Sequence, residues 1–345
     1  EEEFKDCFFK TWHLMKWKST LEDYYDLNKR YFNLTDIIKY ENGRFRLIEI
    51  AEYYFNDIVE KMLFKPMISK NDYEQYFTNY IEIENIYPEC SKTETDITNT
   101  INSKYGRTIV PGKLEEYLKD IKNNAFIKMI EEKFEEEVLL ELLDCFKTRN
   151  DNRIKELVTD DATPSTIFEY ILGVIWYQVG GKIGRLEEYM HLTLDANFMP
   201  KTHAPGGEAD LVFNYPKSNS YPKHDMLLEA TLSESTGQRQ MEWEPVSRHL
   251  ETHINKTHNK YDYVLFIASQ LEERTLKTFR VMKNYQIDVR GEDIGLKIIP
   301  IDVDLIKVII EKKKNYDDLY KIFDESYNSI QIGIDWYNNT LVQKI

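Results

Sequence analysis

The stretch HAPGGEADLVFNYP at residues 203–216, with HDMLLEATLSESTGQRQMEWEPVSRHL at residues 224–250, decides the fold of this chain. Asp210 precedes an apolar run at residues 211–213, and Glu229 follows an apolar run at residues 226–228. Each run is short and is bounded by Gly, Pro, Asn or Ser, which predicts two β-strands. The prolines and polar residues between the runs predict a hairpin connection.

The two carboxylates are expected to meet at one end of this strand pair. Antiparallel pairing brings Asp210 and Glu229 to the same region of a sheet, where their negative charges repel. Glu229 stands between Leu228 and Ala230, and an unpaired carboxylate inside an apolar strand is costly. A hard divalent cation relieves the repulsion and also activates water against a phosphodiester. The pattern therefore predicts a metal-dependent hydrolytic site.

The order of these residues resembles a known nuclease family. Asp210 followed by Glu229-Ala230-Thr231 resembles the PD-(D/E)xK nuclease core. With THA-G at residues 202–206 and QM-E-EPVSRH at residues 240–249, the string is similar to type IIS restriction endonucleases of the AlwI, PleI, MlyI and BstNBI nicking-enzyme group. The similarity covers most of the second half of the chain and, more weakly, its beginning. It implies a mixed α/β sheet flanked by helices and a Mg²⁺-dependent DNA endonuclease that cuts at a fixed offset from its recognition sequence.

The resemblance also implies the ligands of the metal. Asp210 and Glu229 are the expected Mg²⁺ ligands, with the carbonyl of Ala230 as a further candidate. Thr231 stands where the PD-(D/E)xK motif has lysine, and threonine cannot supply the positive charge of that lysine. The same Glu-x-Thr occurs in the resembling group, where a glutamate on the following helix joins the site.

Two carboxylates are candidates for completing the site. The glutamate of the following helix corresponds to Glu242, which forms an acidic triad with Asp210 and Glu229. Glu244 is its rival, and only one of the two is expected to reach the metal because residues two apart on a helix point in different directions. Glu169 matches a glutamate of the family's first helix that borders the active site; the alternative is a partly exposed helix acid.

Three polar residues receive secondary roles through the same resemblance. Gln238 is expected to orient a phosphate or water, and His203 or His249 to contact phosphate or move a proton. His249 and His253 lie one helical turn apart, but the HExxH motif of a zinc site is missing. We therefore do not predict zinc.

Composition argues against a simple DNA-binding protein, because the chain carries a net charge of −15 while phosphate contacts need Lys and Arg. Basic residues cluster locally all the same. Arg239 and Arg248 fall in the helix after the motif, and Arg44 and Arg46 alternate with apolar residues in a predicted strand. We interpret these four as DNA-binding residues; the alternative for each is a solvated face. The expected partner is double-stranded DNA.

The 345 residues divide into three predicted parts. Residues 1–62 are predicted to be a winged-helix-like part of a DNA-recognition region. Helix is predicted over residues 8–17 and 21–38, and an Asn42-Gly43 turn is predicted between two strands. Residues 63–160 are predicted to be a helical connector, although residues 90–102 are polar and rich in turn formers. Residues 161–345 are the expected PD-(D/E)xK cleavage domain. The opening EEEF lacks a Met, which we interpret as a fragment of a longer protein.

The cysteines and the hydropathy of the sequence indicate the compartment in which the protein works. Cys7, Cys90 and Cys145 are scattered and show no CxxC spacing, which favours a reducing cytoplasm. No secretory signal or membrane-length apolar run is visible.

The sequence contains one predicted set of acidic site residues, which would cut one DNA strand at a time. Double-strand cleavage is therefore expected to need a second nuclease domain, from a homodimer or a separate subunit. Two alternatives remain: another metal-dependent PD-(D/E)xK DNA nuclease, or a non-catalytic DNA-binding subunit with a nuclease-like fold.

Overall fold

A computed structural model describes residues 1–34, 37–41, 44–48, 51–52, 55–56, 74, 91–203, 207–233 and 236–345. The chain divides into two compact units, Glu1–Lys122 and Asn123–Ile345. The sequence-based boundaries at residues 62/63 and 160/161 do not coincide with this division, and the three domain assignments stay predictions. None of the described helices is both long enough and apolar enough to cross a membrane.

The first unit begins with one long helix, α1, at Glu2–Leu34. Strands β1, Ile38–Glu41, and β2, Arg44–Leu47, then pair antiparallel. The two predicted strands are confirmed, and the turn at residues 42–43 lies outside the described residues. The helix predicted to continue to residue 38 was wrong. Ile38 pairs with Leu47 in the hairpin, and this pairing overrides the helical spacing of the apolar residues.

The interpretation of residues 90–102 as rich in turns was wrong for residues 94–102, which are helical. Helix α2 occupies Glu94–Tyr105 within this unit. Its start is a capping box, in which the backbone N–H of Asp96 donates to Oγ1 of Thr93 and the N–H of Thr93 donates to Oδ2 of Asp96. It ends at Gly106, whose φ of +62° is the left-handed conformation that favours glycine. Two of the polar residues that indicated turns, Thr93 and Asp96, thus form the start of a helix.

The remaining elements follow in chain order, and all of them after α3 lie in the second unit. These are α3 Leu114–Lys133 (which crosses the division between the units), α4 Glu136–Thr148, α5 Asp151–Leu157, α6 Pro164–Val179, α7 Leu186–Tyr189, β3 Thr193–Leu194, β4 Pro200–Thr202, β5 Leu211–Tyr215, β6 His224–Thr231, α8 Thr236–Thr257, β7 Tyr263–Ala268, α9 Glu273–Met282, β8 Gln286–Val289, β9 Glu292–Gly295, β10 Ile298–Asp302, α10 Val303–Glu311, α11 Tyr316–Asn328, α12 Gly333–Tyr337 and a π-helical turn Asn338–Val342. Helix α6 begins as its sequence predicts, with Thr163 accepting a hydrogen bond from the N–H of Thr166 and Pro164 in the first turn.

The central sheet of the second unit has the order β10-β7-β6-β5. Strand β5 is antiparallel to β6, while β6, β7 and β10 run parallel. This arrangement confirms the predicted fold class, a mixed α/β sheet flanked by helices. Parallel central strands are covered on both faces, which explains why all six residues of β7 are buried.

Alternation along β6 assigns its side chains to two layers. Met226 and Leu228 pack with α6 in the larger core, and Leu227 packs with Val246 and Leu250 of α8 in the smaller one. Helices α6 and α8 therefore cover opposite faces of the sheet. Glu229 has the parity of Leu227 and so faces α8.

A buried histidine stands at the start of β6. The side chain of His224 is fully buried; its Nδ1 donates to the carbonyl of Pro222 at 2.7 Å, and its Nε2 lies 2.6 Å from the hydroxyl of Tyr316. The Tyr316 hydroxyl also lies 2.9 Å from that of Tyr263. Burial lowers the pKa of His224 to about 4, because a charged imidazolium is poorly solvated there.

We expect His224 to make the second unit acid-sensitive. Above pH 6.5 the ring is neutral in the folded and unfolded chain; between pH 6.5 and about 4 only the unfolded chain takes up the proton, so stability falls as pH falls. The loss from this group amounts to about 3 kcal/mol at most. Denaturant unfolding at pH 7 and pH 4.5, compared between the wild type and His224→Gln, measures it. Equal pH dependence of the two proteins would contradict the prediction.

Candidate active site

Asp210 and Glu229 occupy facing positions at one end of the β5–β6 pair. The register pairs Leu211 with Leu228, so the residue before Leu211 lies opposite the residue after Leu228. Oδ2 of Asp210 accepts a hydrogen bond from the backbone N–H of Ala230 at 2.8 Å. The structure thus brings together the two carboxylates that the sequence predicted to converge.

The carboxylate of Glu229 is buried against α8. The residue is 8% exposed, and its Oε1 accepts a hydrogen bond from Nδ1 of His249 at 2.8 Å. Burial raises the pKa of Glu229, while His249, Arg248 and His191 act in the opposite direction through their hydrogen bond or positive charge. Burial is the larger effect, so the ionised carboxylate gains from any further cation at this position.

His249 reaches the site from the middle of α8. Its side chain is 10% exposed, and Nε2 is buried with no hydrogen-bond partner among the residues that the structure describes. The contact of Nδ1 with Glu229 fixes the orientation of the carboxylate. Contact with phosphate or proton movement by His249 stays a prediction.

His191 is a neighbour of the site that the sequence did not indicate. Its backbone N–H donates to the carbonyl of Asp210 at 3.3 Å, and its Nδ1 donates to the carbonyl of Ala209 at 2.8 Å. The ring also lies 3.7 Å from Oε2 of Glu208. These contacts fix the backbone that carries Asp210. No motif marks His191, because its role comes from the tertiary approach of a separate segment.

Glu169 approaches the sheet from the other face. It lies in α6 and is 8% exposed, so it is not the partly exposed helix acid that was its alternative. One turn later, a Cβ added to Gly173 would stand 2.6 Å from Cδ2 of Leu211, which shows how closely α6 packs beside Asp210. Glu169 is therefore near the strand ends but in the layer opposite Glu229.

Several predicted residues lie in the first turns of α8. Gln238, Arg239 and Glu242 are helical, but their side chains lie outside the described part of the structure. Glu244 is described: it is exposed, and its Oε1 accepts a hydrogen bond from Nε of Arg248 at 3.0 Å. This surface ion pair gives Glu244 an exposed partner.

The remaining predicted contact residues are exposed. His203 follows β4 and is exposed. Arg44 and Arg46 are exposed on β2, in register with Glu41 and Lys39 of β1. Their DNA contacts stay predictions.

A second cluster occupies the opposite end of β6. Nε2 of His253 lies 3.0 Å from Oδ2 of Asp225 and 3.6 Å from Oδ2 of Asp262, a geometry that could hold a metal ion. The carboxylates are already hydrogen-bonded within the fold, however. Asp262 accepts hydrogen bonds from Thr257 and from the N–H of Asp225, and Oδ1 of Asp225 accepts one from Asn214. We read the cluster as a polar network that fastens α8 to β6.

The described residues at the first site suit a hard divalent cation. Asp210, Glu229 and the Ala230 carbonyl offer oxygen ligands, which Mg²⁺ prefers. Thr231 is buried, and its hydroxyl accepts a hydrogen bond from the N–H of Ser233 at 3.0 Å. It supplies no charge, so the groups that lower the pKa of Glu229 are His249, Arg248 and His191 rather than a motif lysine.

Comparison with known proteins gives one family and several solved structures, including the following two. The family model described as AlwI restriction endonuclease matches residues 3–336. The small subunit of the heterodimeric restriction endonuclease R.BspD6I is 20% identical, with a TM-score of 0.40 over 59% of this chain and 96% of that one. Restriction endonuclease FokI is 11% identical, with a TM-score of 0.32 over 47% of this chain and 28% of that one. No curated protein matches the chain.

Proposed function

The chain belongs to the AlwI restriction endonuclease family, and from that membership we propose that it is a Mg²⁺-dependent type IIS enzyme that hydrolyses DNA phosphodiesters at a fixed offset from its recognition sequence. The observation that carries this proposal is the facing pair of Asp210 and Glu229 at the ends of β5 and β6. Two carboxylates at one strand end, one of them buried, form a site that is more stable with a cation than without one.

The protein's own groups prepare this site. The N–H of Ala230 fixes Oδ2 of Asp210, and Nδ1 of His249 fixes Oε1 of Glu229. Such second contacts orient metal ligands. Mg²⁺ held by Asp210, Glu229, the Ala230 carbonyl and Glu242 would supply Lewis acidity toward the scissile phosphate and its attacking water. Hydrolysis is expected to leave 5′-phosphate and 3′-hydroxyl ends.

The proposal assigns recognition and cleavage to different parts of the chain. Residues 1–62 belong to target recognition in this scheme, residues 63–160 to the connector and residues 161–345 to cleavage, and this separation explains an offset cut. Arg44 and Arg46 contact DNA in the first part, Arg239 and Arg248 in the last. The ion pair of Arg248 with Glu244 is solvent-exposed and contributes little, so phosphate can replace the carboxylate.

Cleavage of plasmid DNA tests the function directly. The full-length protein is incubated with supercoiled plasmid in MgCl₂ or in EDTA, and the product ends are mapped by run-off sequencing. Ends at a constant distance from one short sequence, formed only with Mg²⁺, support the proposal. Cuts without a common sequence favour a different metal-dependent nuclease. DNA binding without any cutting favours a non-catalytic subunit with a nuclease-like fold.

We expect nicked circles to accumulate before linear DNA. The proposed centre is one set of residues, which hydrolyses one strand at a time, so a double-strand break needs a second nuclease domain. A time course on supercoiled plasmid at several protein concentrations measures this. Linearisation that rises with protein concentration indicates a second copy; stable nicked circles indicate a nicking enzyme or a missing separate subunit. Direct conversion to linear DNA at the lowest concentration would exclude a monomer with one centre.

A further inference from the structure

A cavity of about 250 Å³ lies beside the end of β6, next to the proposed metal ligands. We call it the Arg149 pocket, and its lining residues are Arg149, Ser165, Ala230, Thr231, Leu232 and Ser233. Four of the six are consecutive residues that begin directly after Glu229. The pocket therefore lies at the same end of β6 as the candidate active site. Arg149, at the end of α4, and Ser165, at the start of α6, form its other side.

The guanidinium of Arg149 is fixed at this pocket by the fold. Arg149 follows α4, and its Nη1 donates to the carbonyl of Leu232 at 3.2 Å, a contact across 83 positions of sequence. Its nearest described carboxylate is Asp151, with Nε 3.4 Å from Oδ1. A guanidinium has five N–H donors in a rigid fork. The contacts with Leu232 and Asp151 use two of these donors, which leaves three for an anion in the pocket.

The chemistry of the lining selects an anion. Among the described residues that line the pocket, one is cationic, three carry hydroxyl groups and none is acidic. This contrasts with the neighbouring carboxylate pair, Asp210 and Glu229, which selects a cation. A phosphate group matches the pocket because its oxygens accept hydrogen bonds from guanidinium and hydroxyl groups alike.

We propose that the Arg149 pocket binds a backbone phosphate of the DNA strand being cut, a few nucleotides from the scissile phosphate. The inference rests on the proposed nuclease function and adds to it a contact that positions the strand over Asp210 and Glu229. Ala230 belongs to both sites: its N–H contacts Asp210, and the residue also lines the pocket. A phosphate held in the pocket therefore fixes the register of the strand at the cut.

The test compares two arginines of similar exposure. The side chain of Arg149 is 43% exposed and that of Arg153 is 42% exposed, but Arg153 is compensated by Glu141 at 2.7 Å and Glu156 at 3.2 Å. Binding of a fluorescent duplex that contains the mapped site is measured by anisotropy in CaCl₂ over a series of salt concentrations. We expect Arg149→Gln to weaken binding about tenfold and to reduce the salt slope by about 0.9, the value for one phosphate. Arg149→Lys should keep the slope, and Arg153→Gln should match the wild type.

Uncharged phosphate analogues identify which backbone phosphate contacts Arg149. Duplexes with one methylphosphonate at successive positions near the cut are bound to the wild type and to Arg149→Gln, after circular dichroism has shown equal folding. One position should weaken the wild type and leave Arg149→Gln unchanged. Two results would contradict the proposal, provided that the wild type cuts DNA. Either each methylphosphonate weakens binding by the wild type and by Arg149→Gln equally, or Arg149→Gln keeps the salt slope of the wild type. Failure of the wild type to bind or cut DNA would instead overturn the nuclease function and this inference with it.

Discussion

Replacing Asp210 by Asn or Glu229 by Gln is expected to lower the rate of DNA cleavage by roughly 10³-fold or more, while folding and DNA binding persist. Each change removes one negative charge from the site at nearly constant volume. The asparagine oxygen can still accept the hydrogen bond from the N–H of Ala230. Loss of cutting would therefore report the missing charge rather than a broken strand end.

Asp225→Asn is the matched control, because Asp225 lies on the same strand and has the same parity as Glu229. It belongs to the cluster with His253 and Asp262 that could also hold a metal ion. We expect this variant to retain cleavage within about tenfold of the wild type, since it loses structural hydrogen bonds of modest net value. Rates are measured as single turnovers at saturating protein. Normal cutting by Asp210→Asn, with loss in Asp225→Asn, would move the reaction centre to the other end of β6.

The strand pair was predictable because its signals are local. Short apolar runs bounded by turn-forming residues gave both strands, and their hairpin connection placed Asp210 opposite Glu229 without knowledge of the rest of the fold. Helix α6 was predictable for the same reason, since Thr163 and Pro164 mark its start. Local errors also had local causes. The capping box of Thr93 and Asp96 uses residues that equally favour turns, so α2 was missed.

The surroundings of the two carboxylates were less predictable because they depend on tertiary contacts. His249 lies 20 positions from Glu229 and Arg149 lies 83 positions from Leu232, and no sequence period links either pair. The role of His191 arises where a separate segment meets the start of β5. Tertiary packing determines these contacts. The sequence therefore indicated His249 only through the resemblance of the chain to a known family.

Replacing Glu242 by Gln is expected to weaken metal binding strongly, whereas Glu244→Gln is expected to change it little. Thr231 leaves the site without a motif lysine, and a third carboxylate would complete the oxygen ligands of the cation. Successive helix residues are rotated by about 100°, so side chains two positions apart point about 200° away from each other. Glu244 is exposed and already paired with Arg248 at 3.0 Å, so Glu242 is the candidate that we assign to the metal.

Isothermal titration with Mn²⁺ or Ca²⁺ separates the two glutamates. We expect the dissociation constant to rise at least about tenfold for Glu242→Gln, because one charged ligand is lost. For Glu244→Gln it should stay within about twofold, because an exposed ion pair contributes little. The Glu229→Gln variant provides the reference for loss of an inner ligand, and cleavage rates should follow the same order. Weaker binding in Glu244→Gln, with wild-type binding in Glu242→Gln, would exchange their roles and require Glu244 to leave Arg248 for the metal.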